Sequence, residues 1–369
     1  MVTALDPAQP LAPDFRDSVQ QALAEFLDNR RATLAGMGPE LDPLIDLAAT
    51  FTGGGKRLRP AFTVWGYVAA AGLPAVHVRP SLVAAAASLE LLHVSALVHD
   101  DVMDNSDTRR GLPAAHLQFA RLHDDAGWTG PAEQFGRAGA ILLGDLLVMW
   151  SDEMLHTAGL PDEILRPALP YVAAMRTEVT CGQYLDVVAQ AGPLHPHRPA
   201  QDIDQIRRVV EYKAARYSVR RPVQFGAALG GGDETLQEAL AAYGSPLGRA
   251  FQYRDDVLGM FGDEARTGKP AAGDLREGKH TLLLAYALAD SPTAERRRLM
   301  GLVGVEDLDD DAVAEARAII TASGAVERVE TAIETDLAQA LAALESADLT
   351  DEGRTALTAL AYAATRRVV

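Results

Sequence analysis

The stretch LVHDDVMDNSDTRRG, residues 97–111, sets His99, Asp100, Asp101, Asp104 and Asp107 immediately before Arg109 and Arg110. On a helix Asp100 and Asp104 share a face, with Cβ atoms about 5–6 Å apart, and Asp101 lies one residue round. Carboxylates this crowded suit a hard divalent cation, and Mg²⁺ binds through one or two carboxylates together with substrate phosphates. Two guanidinium groups just past the helix end are suited to holding phosphate oxygens bidentately. The residue types therefore point to Mg²⁺ bridging the acids to a diphosphate that the arginines also hold. Taken alone, the stretch reads equally well as a solvated acidic helix end.

A second acidic pair shifts that balance. FQYRDDVLGMFGD puts Asp255 and Asp256 at the end of another apolar helical stretch, with Gln252 one turn upstream and Lys269 and Lys279 on the loop beyond. Two acidic helix ends, each followed by cations, are expected to face one cavity. Three Mg²⁺ held there would neutralise a diphosphate and make it a good leaving group. A third element, GGGKRLRP, follows three glycines with Lys56, Arg57 and Arg59, a composition suited to a phosphate site but without Walker A spacing.

Helices must position these residues. Apolar residues recur at helical spacing through most of the chain, and strand alternation is scarce. Helices are expected over roughly 15–35, 42–51, 57–72, 80–106, 113–124, 136–157, 163–191, 202–230, 234–261, 280–289, 295–302, 310–322, 324–345 and 351–367. The segment 262–279 reads as a long glycine-punctuated loop carrying four cations, of a length that suits a functional lid. No fixed-period repeat or linker is evident. The expectation is one all-α domain over residues 14–369, a single large helical bundle, after a flexible tail at 1–13.

The formal charge of −17 argues against a nucleic-acid partner, whose phosphates call for Lys and Arg, and suits a cytoplasmic protein. The single cysteine, Cys181, permits no intrachain disulfide and is expected in the core. The first residues lack a basic and an apolar signal region, so no signal peptide is expected. The longest apolar run, SLVAAAASLELLHVSALVHD, is interrupted by Glu90 and His93 and reads as a core helix, not a membrane span.

In order along residues 40 to 290, GGGKRLRP, LLHVSALVHDDVMDNSDTRRG, GD at 144–145, GQYLD at 182–186, YK at 212–213, FQYRDD and TGKPAAGDLREGK resemble the blocks of the trans-isoprenyl diphosphate synthases. Each block is weak alone; the ordered set is specific. The resemblance implies an isoprenoid-synthase helical bundle with a central cavity, and a homodimer. It implies that isopentenyl diphosphate condenses with an allylic diphosphate through ionisation, condensation and elimination, in an apolar cavity that keeps water from the carbocation. Asp100, Asp101 and Asp104 match the first metal-binding motif. Asp255 and Asp256 match the second, with Asp255 a metal ligand. Arg109, Lys213 and Lys269 match contacts to the allylic diphosphate, and Lys56, Arg59, His93 and Arg110 match contacts to isopentenyl diphosphate. Gln183 and Gln252 fall near the reacting carbons and the second metal cluster, and Lys279 among the substrate cations.

Three positions depart from the family pattern. Gly259 stands where a third aspartate of the second motif is expected, with Asp263 one turn further along. Ala214 stands in place of a hydroxyl residue, and Asp274 is single where relatives often carry two acids. The resemblance also implies a product longer than farnesyl, most simply the C20 geranylgeranyl chain. Ser95 and Ala96, about 6–7.5 Å below Asp100 along the helix, are small where short-chain relatives carry bulky aromatics, and Leu91 and Leu92 would form a deeper floor.

Other residues invite blander readings. His99 reads as packed or as supporting the acids, His195 and His197 as a loop pair, and EDLDDD at 306–311 as a solvated turn and helix start. Three rival functions remain. A metal-dependent phosphohydrolase would leave the cationic blocks unexplained. A class I terpene cyclase would carry a different second metal motif. A non-catalytic partner subunit would be expected to lose the aspartates.

Overall fold

The computed structural model describes residues 5–195, 199–262, 272–305 and 307–366. It divides into two compact units. The first comprises residues 1–169, 225–232 and 349–357, and the second 170–224, 233–348 and 358–369.

The first unit is built around α4 (Arg79–Met103), which packs against α1 (Pro13–Ala35), α3 (Leu58–Ala71) and α6 (Ala132–His156). α1 shows why these segments are helices that pack: Phe15, Val19, Leu23, Phe26 and Leu27, three or four apart, are all buried. α4 is apolar nearly all round and long enough to cross a membrane by composition. Most of its apolar stretch is buried against these neighbours, as in a core helix. α2 (Asp42–Thr52) packs on α1, and α5 (Ala115–Asp125) on α6. Within the stretch expected as a tail, Pro10 is buried and its carbonyl accepts a hydrogen bond from Trp65 Nε1 at 3.2 Å.

Between α4 and α5 the sequence pattern missed a hairpin. Strands β1 (Thr108–Arg109) and β2 (Leu112–Pro113) pair antiparallel around Arg110 and Gly111. Both turn residues are left-handed, with φ of 55° and 76°, as a two-residue type I′ hairpin demands.

In the second unit α10 (Glu234–Phe261) packs against α15 (Ala325–Ser346) and against an 11-residue π-helix, Val210–Arg220. Asp233 caps α10, accepting from the Leu236 N–H at 2.9 Å. The span expected as one helix over 202–230 is instead α8 (Pro199–Val209), the π-helix and α9 (Arg221–Leu229). π-Helix is rare and concentrates at functional sites, and this one carries Lys213. α7 (Asp162–Ala191), α9 and α16 (Asp351–Thr365) each divide their residues between the units. A short helix, α11 (Gly273–Arg276), leads to α12 (Leu282–Asp290), α13 (Thr293–Met300) and α14 (Asp310–Ala322). Asp309 caps α14 by accepting from Ala312 N–H at 2.8 Å, so the acidic run there does serve a helix start.

Candidate active site

α4 delivers the first acidic group at its C-terminal end, where Asp104 is the capping residue. Asp101 is 1 % exposed, and Asp100 and Asp104 are half-buried. The hairpin returns Arg109 to these acids. Its Nε donates to Asp101 Oδ1 at 2.8 Å, its Nη2 also reaches that oxygen, and Asp100 Oδ2 lies 3.7 Å from Nη2. Burial raises the Asp101 carboxyl against the lowering pull of Arg109. Asp101 Oδ2 is buried with no hydrogen-bond partner among the described residues, leaving a lone-pair donor for a cation. His99 packs its ring where a Cβ on Gly144 would stand, 2.2 Å from Nε2, and that nitrogen lies 3.1 Å from the Ile141 carbonyl and 3.4 Å from Asp145.

The turn of the same hairpin sends Arg110 elsewhere. Its Nη1 donates to the carbonyls of Phe51 at 3.0 Å and Gly53 at 3.3 Å, against the glycine turn that precedes Lys56 and Arg59. One two-residue turn thus sorts two adjacent arginines to two places. His93, one helical turn from both Glu90 and Ala96 on α4, is held neutral well below its ordinary pKa. Burial is the main cause, followed by the positive field of Arg59, Arg110, Arg109 and Arg57. Arg110 is also lowered, by burial first, with Glu90 opposing the repulsion of its cationic neighbours. The first unit therefore holds an acid-lined group and, beside it, a cationic group.

The second acidic pair lies near the end of α10. Asp256 is 6 % exposed, and Asp255 is half-buried. Burial, then Asp274, push Asp256 up to about 8, Asp255 adding to the rise while Gln252 Nε2, donating to its Oδ1 at 2.8 Å, and Lys279 oppose it. Gly259 explains itself here. A Cβ at that position would stand 2.4 Å from Asp274 Oδ2, so the Asp274 carboxylate occupies the space of a side chain at 259. Residue 259 is four after Asp255 and shares its helix face. The signal available in sequence was the pairing of Gly259 with a lone Asp274. Lys279 Nζ is 2.5 Å from Glu277 Oε2. Asp263, Lys269 and His197 lie outside the described residues.

Lys213 is set by a close helix contact. A Cβ on Gly182 would be 2.3 Å from the Lys213 backbone nitrogen, so the glycine lets α7 and the π-helix approach. Lys213 Nζ then reaches Asp186 Oδ2 at 2.6 Å, which also accepts from Gln190 at 3.2 Å. Gln183 is half-buried on the same turn of α7. Cys181 is exposed, not in the core as expected, because it falls on the outward face of α7 with Tyr184 and Val188. His195 pairs with Asp202, Nδ1 to Oδ1 at 2.9 Å. On α4, Leu91, Leu92 and Ser95 are buried at 0 %, 4 % and 1 %, whereas Ala96 is half-buried on the face of Asp100.

Among the described residues no three His, Cys, Asp or Glu side chains enclose a metal by themselves. That donor set still fits Mg²⁺, which needs one or two carboxylates and completes its shell with water and phosphate. Helices that carry paired aspartates near their ends, each with cations at hand, suit an enzyme that handles diphosphates through a divalent cation. The polyprenyl synthetase family profile matches residues 44–320, and the chain belongs to that family, as a trans-prenyltransferase. The geranylfarnesyl diphosphate synthase of Aeropyrum pernix is 32 % identical over 75 % of this chain and 79 % of its own. The geranylgeranyl diphosphate synthase of Saccharolobus solfataricus is 32 % identical over 73 % and 74 %. Among solved structures, geranylgeranyl pyrophosphate synthase from Corynebacterium glutamicum, complexed with isoprenyl diphosphate and magnesium, superposes with a TM-score of 0.89 at 36 % identity, covering 99 % of this chain and 100 % of that one.

Proposed function

We propose that the enzyme condenses isopentenyl diphosphate with an allylic diphosphate and releases geranylgeranyl diphosphate. The observation that carries this reading is the hairpin's sorting of Arg109 to the acids and Arg110 to the glycine turn. A diphosphate that must leave belongs beside acids that hold a cation, and one that must stay belongs among cations alone. Asp100, Asp101, Asp104 and Asp255 would hold three Mg²⁺, whose charge would make the allylic diphosphate a better leaving group. Arg109, Lys213 and Lys269 grip that same group. Lys56, Arg59, Arg110 and the neutral imidazole of His93 hold isopentenyl diphosphate, and Gln183 and Gln252 orient the reacting ends. Asp186 holds Lys213 in place and shares its ammonium with the phosphate, since three N–H donors serve more than one acceptor. Asp256 and Asp274 complete the acidic group around Asp255, and Lys279 moderates its charge.

The small Ala96 on the Asp100 face leaves room for a chain longer than farnesyl, and Leu91, Leu92 and Ser95 back that wall. α6 leaves Ile141, Leu142 and Met149 exposed on one side, an apolar stripe that a second copy would cover to form a homodimer. A cytoplasmic location accords with the acidic composition. The test is product analysis of the purified chain with Mg²⁺, labelled isopentenyl diphosphate and each short allylic primer. A C20 product is expected, and no condensation with any primer overturns the reading.

A further inference from the structure

We propose that Arg57, set between two substrate-facing cations, is a positioning residue that fixes the affinity for isopentenyl diphosphate without touching it. This rests on the reading of Lys56, Arg59, His93 and Arg110 as that substrate's site. Three cations of one short block have three different environments: Lys56 is exposed, Arg59 is half-buried and Arg57 is 2 % exposed. Arg57 Nη1 donates to Glu90 Oε2 at 2.7 Å, and its Nη2 donates to the Thr52 carbonyl at 2.6 Å and to Gln20 Oε1. Those acceptors belong to α4, the end of α2 and α1. Glu90 is itself only 2 % exposed.

Thr52 enters the glycine turn and Arg57 leaves it, so one guanidinium ties both ends of that turn to α4. The Arg57 backbone is left-handed, with φ of 56°, a conformation a non-glycine residue keeps only where its contacts over-determine it. Glu90 precedes His93 by three residues and shares its helix face. The buried pair therefore sets Lys56 and Arg59 in register with His93. Arg110 grips the same turn through the Phe51 and Gly53 carbonyls, either side of Thr52 in the chain. Buried and committed to three protein acceptors, Arg57 presents no open face to a diphosphate.

The test replaces the pair together, Arg57→Met with Glu90→Leu, because removing both charges leaves neither buried alone. The dissociation constant for isopentenyl diphosphate by calorimetry, and its KM, should rise by about tenfold or more, while the allylic KM stays within about twofold. The thermal midpoint should stay near that of the wild type. A stable double variant with wild-type affinity, or with both KM values raised equally, overturns the proposal. Should that variant not fold, Arg57→Lys carries the test: its shorter, single-headed side chain should raise the isopentenyl diphosphate KM by about threefold or more, and an unchanged KM overturns the proposal. Normal isopentenyl diphosphate affinity in Lys56→Ala would instead overturn the underlying reading of the site.

Discussion

The acidic helix end at Asp100 and the one at Asp255 use the same residue types and are neutralised differently. At the first, Arg109 bonds Asp101 and approaches Asp100. At the second, burial and the Asp274 charge drive Asp256 up to about 8, and Gln252 and Lys279 offset only part of this. Lys279 also serves Glu277. The first group carries its own counter-charge on a hairpin arm. At the second, burial and the neighbouring acids outweigh what Gln252 and Lys279 offer Asp256. One motif type thus serves two electrostatic designs, distinguished by what the following loop brings back to it.

The sharpest way to break this comparison is to remove one acid from each group. Asp100→Ala and Asp255→Ala should each lower kcat/KM by about a thousandfold or more, about 4 kcal/mol in the transition state, in steady-state assays with Mg²⁺. A loss below about tenfold in either would show that its pair holds no catalytic cation. Next in size is the sorting of cations. Arg109→Ala, Lys213→Ala and Lys269→Ala should raise the allylic KM by about tenfold or more, and Arg110→Ala, Lys56→Ala and Arg59→Ala that of isopentenyl diphosphate. Variants that all raise the same KM would erase the distinction between the two groups.

Smaller effects probe how each unit holds its site. Gly182→Ala forces a methyl group to 2.3 Å from the Lys213 nitrogen and should destabilise the protein by about 1–3 kcal/mol, read as a lower denaturant midpoint. An unchanged midpoint would mean that α7 and the π-helix yield freely. Acid should loosen the second unit. Burial pushes Glu178 and Glu211 up, but hydrogen bonds from Arg221 and Arg216 to the first, and from Arg216 and Ser245 to the second, hold both below the usual range. Their stabilisation is present above the unfolded carboxyl pKa, about 4.3, and is lost as pH falls through the lowered folded values. Glu211→Gln should flatten the fall in denaturant midpoint below about pH 4.5, and identical acid profiles would remove these pairs from the account. The smallest expected effect is on product length. Ala96→Phe should shorten the product towards C15 more than Ser95→Phe does, because Ser95 is buried away from the Asp100 face. Equal shortening, seen by chromatography of the dephosphorylated products, would place both residues on the channel.

The sequence by itself determined most helices, because apolar residues three and four apart specify a buried face wherever it packs; α10 was expected and found over 234–261. It also determined which carboxylates lie together, since i and i+4 side chains share a face by helix geometry alone. The hairpin was missed because its two strands are two residues long and its turn depends on left-handed backbone at Arg110 and Gly111, not on alternation. The π-helix was missed because its apolar pattern differs little from that of an α-helix over so short a span. What the tertiary structure alone decided is which charges are available. Lys56, Arg57 and Arg59 look alike in sequence, yet Arg57 is taken by Glu90, 33 residues away. Gly259 looks like a lost acid, yet Asp274 fills its place from another helix. Local pattern fixes the face on which a side chain lies. Whether that side chain meets solvent, a partner or a substrate depends on residues brought near only by packing.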